Sequence, residues 1–82
     1  MREDKQAVCT AICEALRTTA NAGSGNALVE IKYIELPNGD EIARPIFENG
    51  TGEDGWYDVN ISGDSGTAIF IDIVNNFVRK VW

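Results

Sequence analysis

The sequence predicts an α+β fold in which two helices cover one face of a three-stranded antiparallel sheet. Hydrophobic residues repeat with helical spacing near both ends of the chain, and between them the period falls to two. Turn signals at 37–40 and 49–55 separate the alternating stretches. A length of 82 residues leaves room for one domain, 1–82. We therefore predict a two-layer α-β-β-β-α meander with both helices packed on the same sheet face.

The first helix is predicted over residues 3–20. Val8, Ile12 and Leu16 recur at a spacing of four, which places them on one helical stripe. The neighbouring positions on that stripe are also small or apolar: Cys9, Cys13 and Ala20. The polar run that follows ends the helix, and Gly23 is suited to a left-handed cap.

The first strand begins at Leu28, where polar and apolar residues start to alternate. Val29, Ile31 and Tyr33 are expected to point to one face. Glu30 and Lys32 are expected to point to the other face. The sequence Pro37-Asn38-Gly39-Asp40 then predicts a tight turn into the second strand.

The second strand is predicted from Ile42 to Glu48. Pro45 has no backbone N–H, so we expect this strand to lie at a sheet edge or to carry a bulge. After a looser, glycine-rich turn, the third strand is predicted from Trp56 to Ser62. Its buried face carries Tyr57, Val59 and Ile61, and its outer face carries Trp56, Asp58 and Asn60.

The second helix follows Ser62, with Asp64 or Ser65 as the capping residue. Its predicted buried stripe consists of Ile69, Ile73, Val74, Phe77 and Val81. The opposite, solvent-facing side is predicted to hold Asp72, Asn75, Asn76, Arg79 and Lys80.

The composition argues against an enzyme and against a bound metal or cofactor. Histidine is absent, which removes the commonest general base and metal ligand. Gly63-Asp64-Ser65-Gly66 resembles the nucleophile signature of trypsin-like serine proteases, but that mechanism needs a histidine. Gly50-x-Gly52-x-x-Gly55 matches a dinucleotide-binding string, yet a strand follows it where the fingerprint requires a helix. Both segments are therefore predicted to be turns.

Cys9 and Cys13 are predicted to be reduced packing residues. They lie one helical turn apart, a poor geometry for a disulfide, and without histidine they do not form a zinc site. Reduced thiols indicate a reducing compartment. Because the chain also lacks an apolar run of membrane-spanning length and a signal-peptide core, we expect a cytoplasmic protein with no membrane partner.

Two resemblances accompany this fold prediction. The run Val59–Ala68, a strand that enters a helix through Asp64-Ser65-Gly66, resembles small uncharacterised accessory proteins of bacterial and phage genomes. That resemblance implies a small accessory protein with no assigned activity. The α-β-β-β-α order also resembles the double-stranded RNA-binding domain, which presents basic residues at the start of its second helix. The corresponding stretch, 64–68, has no Lys or Arg.

The charge distribution indicates a protein partner. The net charge is -6, and residues 30–64 carry a net charge of -7, which argues against nucleic-acid binding. We expect a non-enzymatic interaction module that binds a basic protein, such as a mobile-element-borne inhibitor of a nucleic-acid-binding protein. The alternatives are a homodimeric accessory protein, and a protein that binds a small molecule or metal. The predicted docking residues share the open sheet face: Trp56, Asp58, Asn60, Glu30 and Lys32.

Overall fold

The computed structural model describes residues 4–20 and 26–80. Its elements follow the order α1 (Lys5–Leu16), β1 (Leu28–Glu35), β2 (Glu41–Phe47), β3 (Val59–Asn60) and α2 (Gly66–Lys80). The strands form an antiparallel sheet in the order β1-β2-β3. The predicted α+β class and the α-β-β-β-α order are confirmed.

Both helices cover the same face of the sheet. Residues of α1 and α2 and the inward-facing residues of all three strands belong to one hydrophobic cluster. Phe47 and Phe77 lie in this cluster, with ring centroids 6.3 Å apart. Neither helix of the described residues has the length and apolarity needed to cross a bilayer.

The helix α1 is shorter than predicted. Asp4 is its N-cap and accepts a hydrogen bond from the backbone N–H of Ala7 at 3.2 Å. The helix ends at Leu16, and a turn leads to the buried Ala20. Cys9 and Cys13 are free and buried, as predicted for packing residues. Gly23 lies outside the described residues.

The prediction that β2 lies at an edge or bulges at Pro45 is wrong. β2 is the central strand, and the irregularity lies in β1 between Leu28 and Glu30. β3 pairs only with Ile42 and Ala43, so the β3 ladder has ended before Pro45. The carbonyl oxygen of Pro45 points toward the loop that precedes β3. In an antiparallel strand the nitrogen of a residue points to the same side as its carbonyl, so the Pro45 nitrogen also faces this loop and not β1. The proline therefore removes no ladder hydrogen bond.

Three further details correct the predicted alternation. The third strand is not Trp56–Ser62 but the two residues of β3, because tight turns occupy 51–57. Val29 is 43% exposed, since it lies at the β1 irregularity. Asn76 was assigned to the outer side of α2, but it is buried. Val81 lies outside the described residues.

Candidate functional site

The predicted docking residues do not form one patch. Glu30 and Lys32 are exposed on β1, whereas Asn60 belongs to β3, and β2 separates the two strands. Glu30 pairs with Ile46 and Lys32 with Arg44, which places them on the outer sheet face. Trp56 is 67% exposed, but it stands in the loop before β3 and not on the sheet. The outer sheet face therefore lacks the indole, and Ile34, Ile42 and Ile46 lie on it beside the polar residues.

Asp58 is held by an ion pair across the outer face. The Arg44 guanidinium donates from Nε to Asp58 Oδ1 at 2.8 Å and from Nη2 to Oδ2 at 2.9 Å. The same hydrogen bonds raise the pKa of Arg44. Bidentate pairs of this kind fix geometry as well as charge. Asp58 therefore anchors the loop before β3 to the central strand, and most of its charge is already compensated.

A groove lies between β3 and α2. It encloses about 650 Å³ and is lined mainly by polar side chains. Asp58 and Asn60 form its strand side, and Asp72, Asn75 and Arg79 form its helix side. We call this cavity the β3–α2 groove. Two of the predicted docking residues, Asp58 and Asn60, thus meet three residues of α2 that the sequence analysis assigned to a solvent-facing side.

The main chain of β3 has one edge that faces away from the sheet. Val59 is paired with Ala43, and Ile61 N donates to Glu41 O at 2.9 Å, so these residues direct their main chain toward β2. The residue between them, Asn60, directs its N–H and C=O to the other side. Within the described residues, β3 pairs with β2 alone. The groove therefore contains an unpaired strand edge.

On the helix side of the groove, the carboxyl group of Asp72 lies next to that of Asp64. Asp72 shares a hydrogen bond with the side chain of Asp64, which raises the pKa of Asp72; burial and the Asp64 charge act in the same direction. Arg79 lies two turns along α2 and supplies a cationic side chain to the groove lining. A cation that approaches Asp72 would relieve the repulsion between the two carboxyl groups.

The loop before β3 is held by backbone hydrogen bonds. Gly50 N donates to Phe47 O at 2.8 Å, Gly55 N donates to Gly52 O at 3.1 Å, and Phe47 N donates to Thr51 O at 2.9 Å. Gly52 has φ +98° and packs so closely on the Pro45 carbonyl that a Cβ atom would overlap it. A side chain at this position would therefore displace the loop from β2.

Side chains anchor the same loop to the core. Asn26 donates to Asn49 Oδ1 at 2.8 Å and accepts from Asn49 N at 3.0 Å. The ring of Tyr57 packs on Phe47 at 5.5 Å, and the buried Asn76 donates to Tyr57 O at 3.1 Å. Asn76 was missed as a structural residue because its amide satisfies a loop carbonyl, a contact that helical periodicity does not reveal.

This loop presents Trp56 beside the C-terminal end of α2. Lys80 Nζ donates to Trp56 O at 2.7 Å and lies 5.3 Å from the centroid of the indole ring. Asp54 Oδ1 accepts from Trp56 N at 3.0 Å and fixes the backbone there. Beside the indole lies a cavity of about 410 Å³, lined by Glu53, Asp54, Trp56, Tyr57 and residues 50–52. We call it the Trp56 pocket.

No cluster of three or more His, Cys, Asp or Glu side chains in residues 4–20 and 26–80 is arranged to hold a metal ion. Burial raises the pKa of the Cys9 thiol to about 11 and also raises that of Cys13, so both stay protonated near neutral pH. The geometry that remains is suited to binding cationic groups at carboxylates and an aromatic ring.

Helical spacing did contain a signal for the groove. Asp72, Asn75, Asn76 and Arg79 follow one another at spacings of three and four, so they share one side of α2. Helical spacing alone could not show that β3 lies next to these residues.

Comparison of the chain with protein-family models, curated proteins and solved structures found no match.

Proposed function

We propose that the protein is a non-enzymatic interaction module that binds a basic, extended segment of a partner protein in the β3–α2 groove. The observation that carries this proposal is the unpaired edge of β3 at Asn60, which faces α2 across a polar cavity. An extended peptide that joins a sheet edge gains main-chain hydrogen bonds, while neighbouring side chains select its sequence.

The charge of the chain favours a basic segment. The net charge of -6 attracts cationic partners over several ångströms and raises their rate of encounter. At the groove, Asp72 supplies a carboxyl group whose pKa is raised by a hydrogen bond with the Asp64 side chain. Asp58 contributes less because Arg44 compensates it. A lysine or arginine beside Asp72 would be the specific contact.

A nucleic-acid-binding protein is the partner class that this charge fits best, because such proteins present clustered Lys and Arg residues. The protein would cover that basic surface and so compete with nucleic acid. We place this encounter in the cytoplasm, since the free thiols of Cys9 and Cys13 are suited to a reducing compartment. The resemblance of 59–68 to small accessory proteins of phage and bacterial genomes is compatible with such a role but assigns no activity.

The test uses two fluorescent peptides of equal length, one alternating lysine with threonine and one alternating glutamate with threonine. We expect the basic peptide to bind and to shift the backbone amide resonance of Asn60, and the acidic peptide to do neither. Asp72→Asn should weaken binding about threefold or more, and Arg79→Gln should strengthen it, because one removes an attractive charge and the other a repulsive one.

The matched control is Glu35→Gln, which changes the net charge by the same amount as Asp72→Asn but lies on β1, with β2 between it and β3. Salt would weaken all variants alike through long-range charge. Equal losses in Asp72→Asn and Glu35→Gln would contradict a specific contact in the groove. Binding of the acidic peptide with the same affinity would contradict the proposal as a whole.

Self-association is the second candidate function, and one observation favours it. Helix α2 exposes a continuous apolar strip in which Phe70, Ile71 and Val78 are 39%, 50% and 54% exposed, with Val74 half-buried beside them. Sedimentation at micromolar concentration should then show a dimer that Ile71→Lys dissociates. Val29→Lys, at an exposed apolar residue on β1, is the control. A monomeric wild-type protein would contradict this candidate.

A further inference from the structure

We infer that the Trp56 pocket is a receptor for the guanidinium group of an arginine side chain. The inference deepens the proposed function, because it rests on a basic partner, but it concerns a different cavity from the β3–α2 groove. Trp56 lines one cavity and Asp58 lines the other. A basic segment that occupies the groove would therefore pass the pocket at its end.

The indole already accepts a cation from its own chain. Lys80 Nζ lies 5.3 Å from the ring centroid, within the range of a cation–π interaction. Lys80 does not belong to the residues that form the Trp56 pocket. Trp56 is 67% exposed, so Lys80 leaves much of this residue accessible.

The pocket provides the counter-charge for a cation. Glu53 and Asp54 both line it, and within residues 4–20 and 26–80 no Lys or Arg side chain does so. One oxygen of Asp54 accepts from Trp56 N, and the Asp54 carboxylate also interacts electrostatically with Arg44. A planar guanidinium stacks on an aromatic ring and donates in its own plane to carboxylates, whereas an ammonium is a compact, strongly hydrated charge. The combination of indole and carboxylates therefore favours arginine over lysine.

The loop holds these groups in place before a ligand arrives. Gly52 is locked against the carbonyl of Pro45, and the Asn26–Asn49 hydrogen bonds fix the start of the loop. Tyr57, at the other end, packs on Phe47. Because the loop is ordered by the fold, binding would not have to order it. Binding residues are often carried on loops that a folded scaffold positions, and tryptophan is enriched at binding hot spots.

The test titrates the protein with acetyl-Gly-Arg-Gly-amide and follows the indole N–H resonance of Trp56, assigned with Trp82→Phe. The matched probes carry citrulline, which has the shape of arginine without its charge, and lysine. We expect a saturable shift with arginine at about millimolar concentration, a weaker one with lysine and none with citrulline. An equal shift with citrulline would overturn the inference.

Substitution of Asp54 and Glu53 tests whether their carboxylates contact the arginine probe. Asp54→Asn keeps an oxygen that accepts from Trp56 N, so the loop conformation is retained while the charge is lost. Asp54→Asn and Glu53→Gln should each weaken arginine binding about threefold or more, and Glu35→Gln should leave it unchanged. Loss of binding to the same extent in Glu35→Gln, or no loss in either pocket variant, would overturn the assignment.

The two proposals fail separately. If the arginine probe leaves the Trp56 resonance unchanged while the basic peptide still binds in an Asp72-dependent way, the pocket is not an arginine receptor and the groove proposal stands. If the arginine probe binds at Trp56 while the basic peptide does not shift Asn60, the groove proposal fails and the receptor assignment stands.

Discussion

The guanidinium of Arg44 holds both carboxylate oxygens of Asp58, at 2.8 and 2.9 Å. This pair connects the central strand to the segment that enters β3, and it is the tether on the outer face for the loop that carries Trp56. The main role of Asp58 is therefore to hold the loop to the central strand. The negative charge that the groove offers to a ligand comes mainly from Asp72.

Removal of either partner of this pair should destabilise the fold. The Arg44 and Asp58 side chains are 28% and 23% exposed, so solvent screens the pair only in part. We expect Arg44→Ala and Asp58→Ala each to lower the free energy of unfolding by about 1–2 kcal/mol, with a coupling of about 1 kcal/mol in a double-mutant cycle. Urea denaturation measures both quantities.

The control is the exposed pair Glu14–Arg17, whose side chains are 66% and 50% exposed. Its coupling should lie below about 0.5 kcal/mol. Equal couplings for the two pairs would show that the Arg44–Asp58 tether contributes no more than a surface ion pair.

Gly52 should tolerate substitution far less than Gly39. Both have positive φ, +98° and +92°, so an alanine is strained at either position. At Gly39 the new Cβ meets open space, whereas at Gly52 it overlaps the carbonyl of Pro45. We expect Gly39→Ala to cost about 1 kcal/mol and Gly52→Ala more than about 2 kcal/mol, measured by urea denaturation. Similar costs would contradict the tight packing of the loop on β2.

Asn76 and Asn75 provide a second matched comparison. Asn76 is buried and donates to Tyr57 O, while its neighbour Asn75 is exposed at the groove. Asn76→Ala leaves that carbonyl without its donor and should destabilise the fold by about 1–3 kcal/mol. Asn75→Ala should change stability by less than about 0.5 kcal/mol. Thermal unfolding of the two variants tests this difference, and an unaffected Asn76→Ala would contradict the role of the amide.

Glu41 should make the fold sensitive to acid. Lys5 and the Tyr33 hydroxyl donate to its carboxylate, both at 2.6 Å, and these hydrogen bonds lower its pKa. A lowered pKa stabilises the folded state above the ordinary value, 4.5, and this stabilisation is lost as the pH falls through the lowered value. The melting temperature of the wild type should therefore exceed that of Glu41→Gln near neutral pH, and the difference should shrink toward about pH 3.

Asp72 should behave in the opposite sense. Its pKa is raised, so its contribution to stability is greatest at low pH and is lost as the pH rises through the raised value. Asp72→Asn should thus raise the melting temperature relative to wild type near neutral pH and lose that advantage on acidification. If Glu41→Gln and Asp72→Asn both changed the melting temperature in the same direction near neutral pH, the inferred direction of one of the two pKa shifts would be wrong.

Much of the candidate site could not be predicted from the sequence. Periodicity placed Asp58 and Asn60 correctly on the outer side of β3, but it extended that strand back to Trp56, because alternation continues through turn residues whose backbone is not extended. It also assigned Asn76 to solvent, because a buried amide that bonds a loop carbonyl looks polar in any pattern. Both errors depend on how the loop before β3 packs against α2, which the pattern within one segment does not reveal.

The sequence by itself determined the α-β-β-β-α order, the stripes of α1 and α2 that pack on the sheet, and the turn at Gly39, because local spacing and turn chemistry decide these features. Tertiary structure decided that the proline-containing strand is central, that Arg44 compensates Asp58, and that the indole of Trp56 stands beside α2 instead of on the sheet. These features depend on contacts between residues distant in the chain. Spacing within one segment carries no information about its distant neighbours.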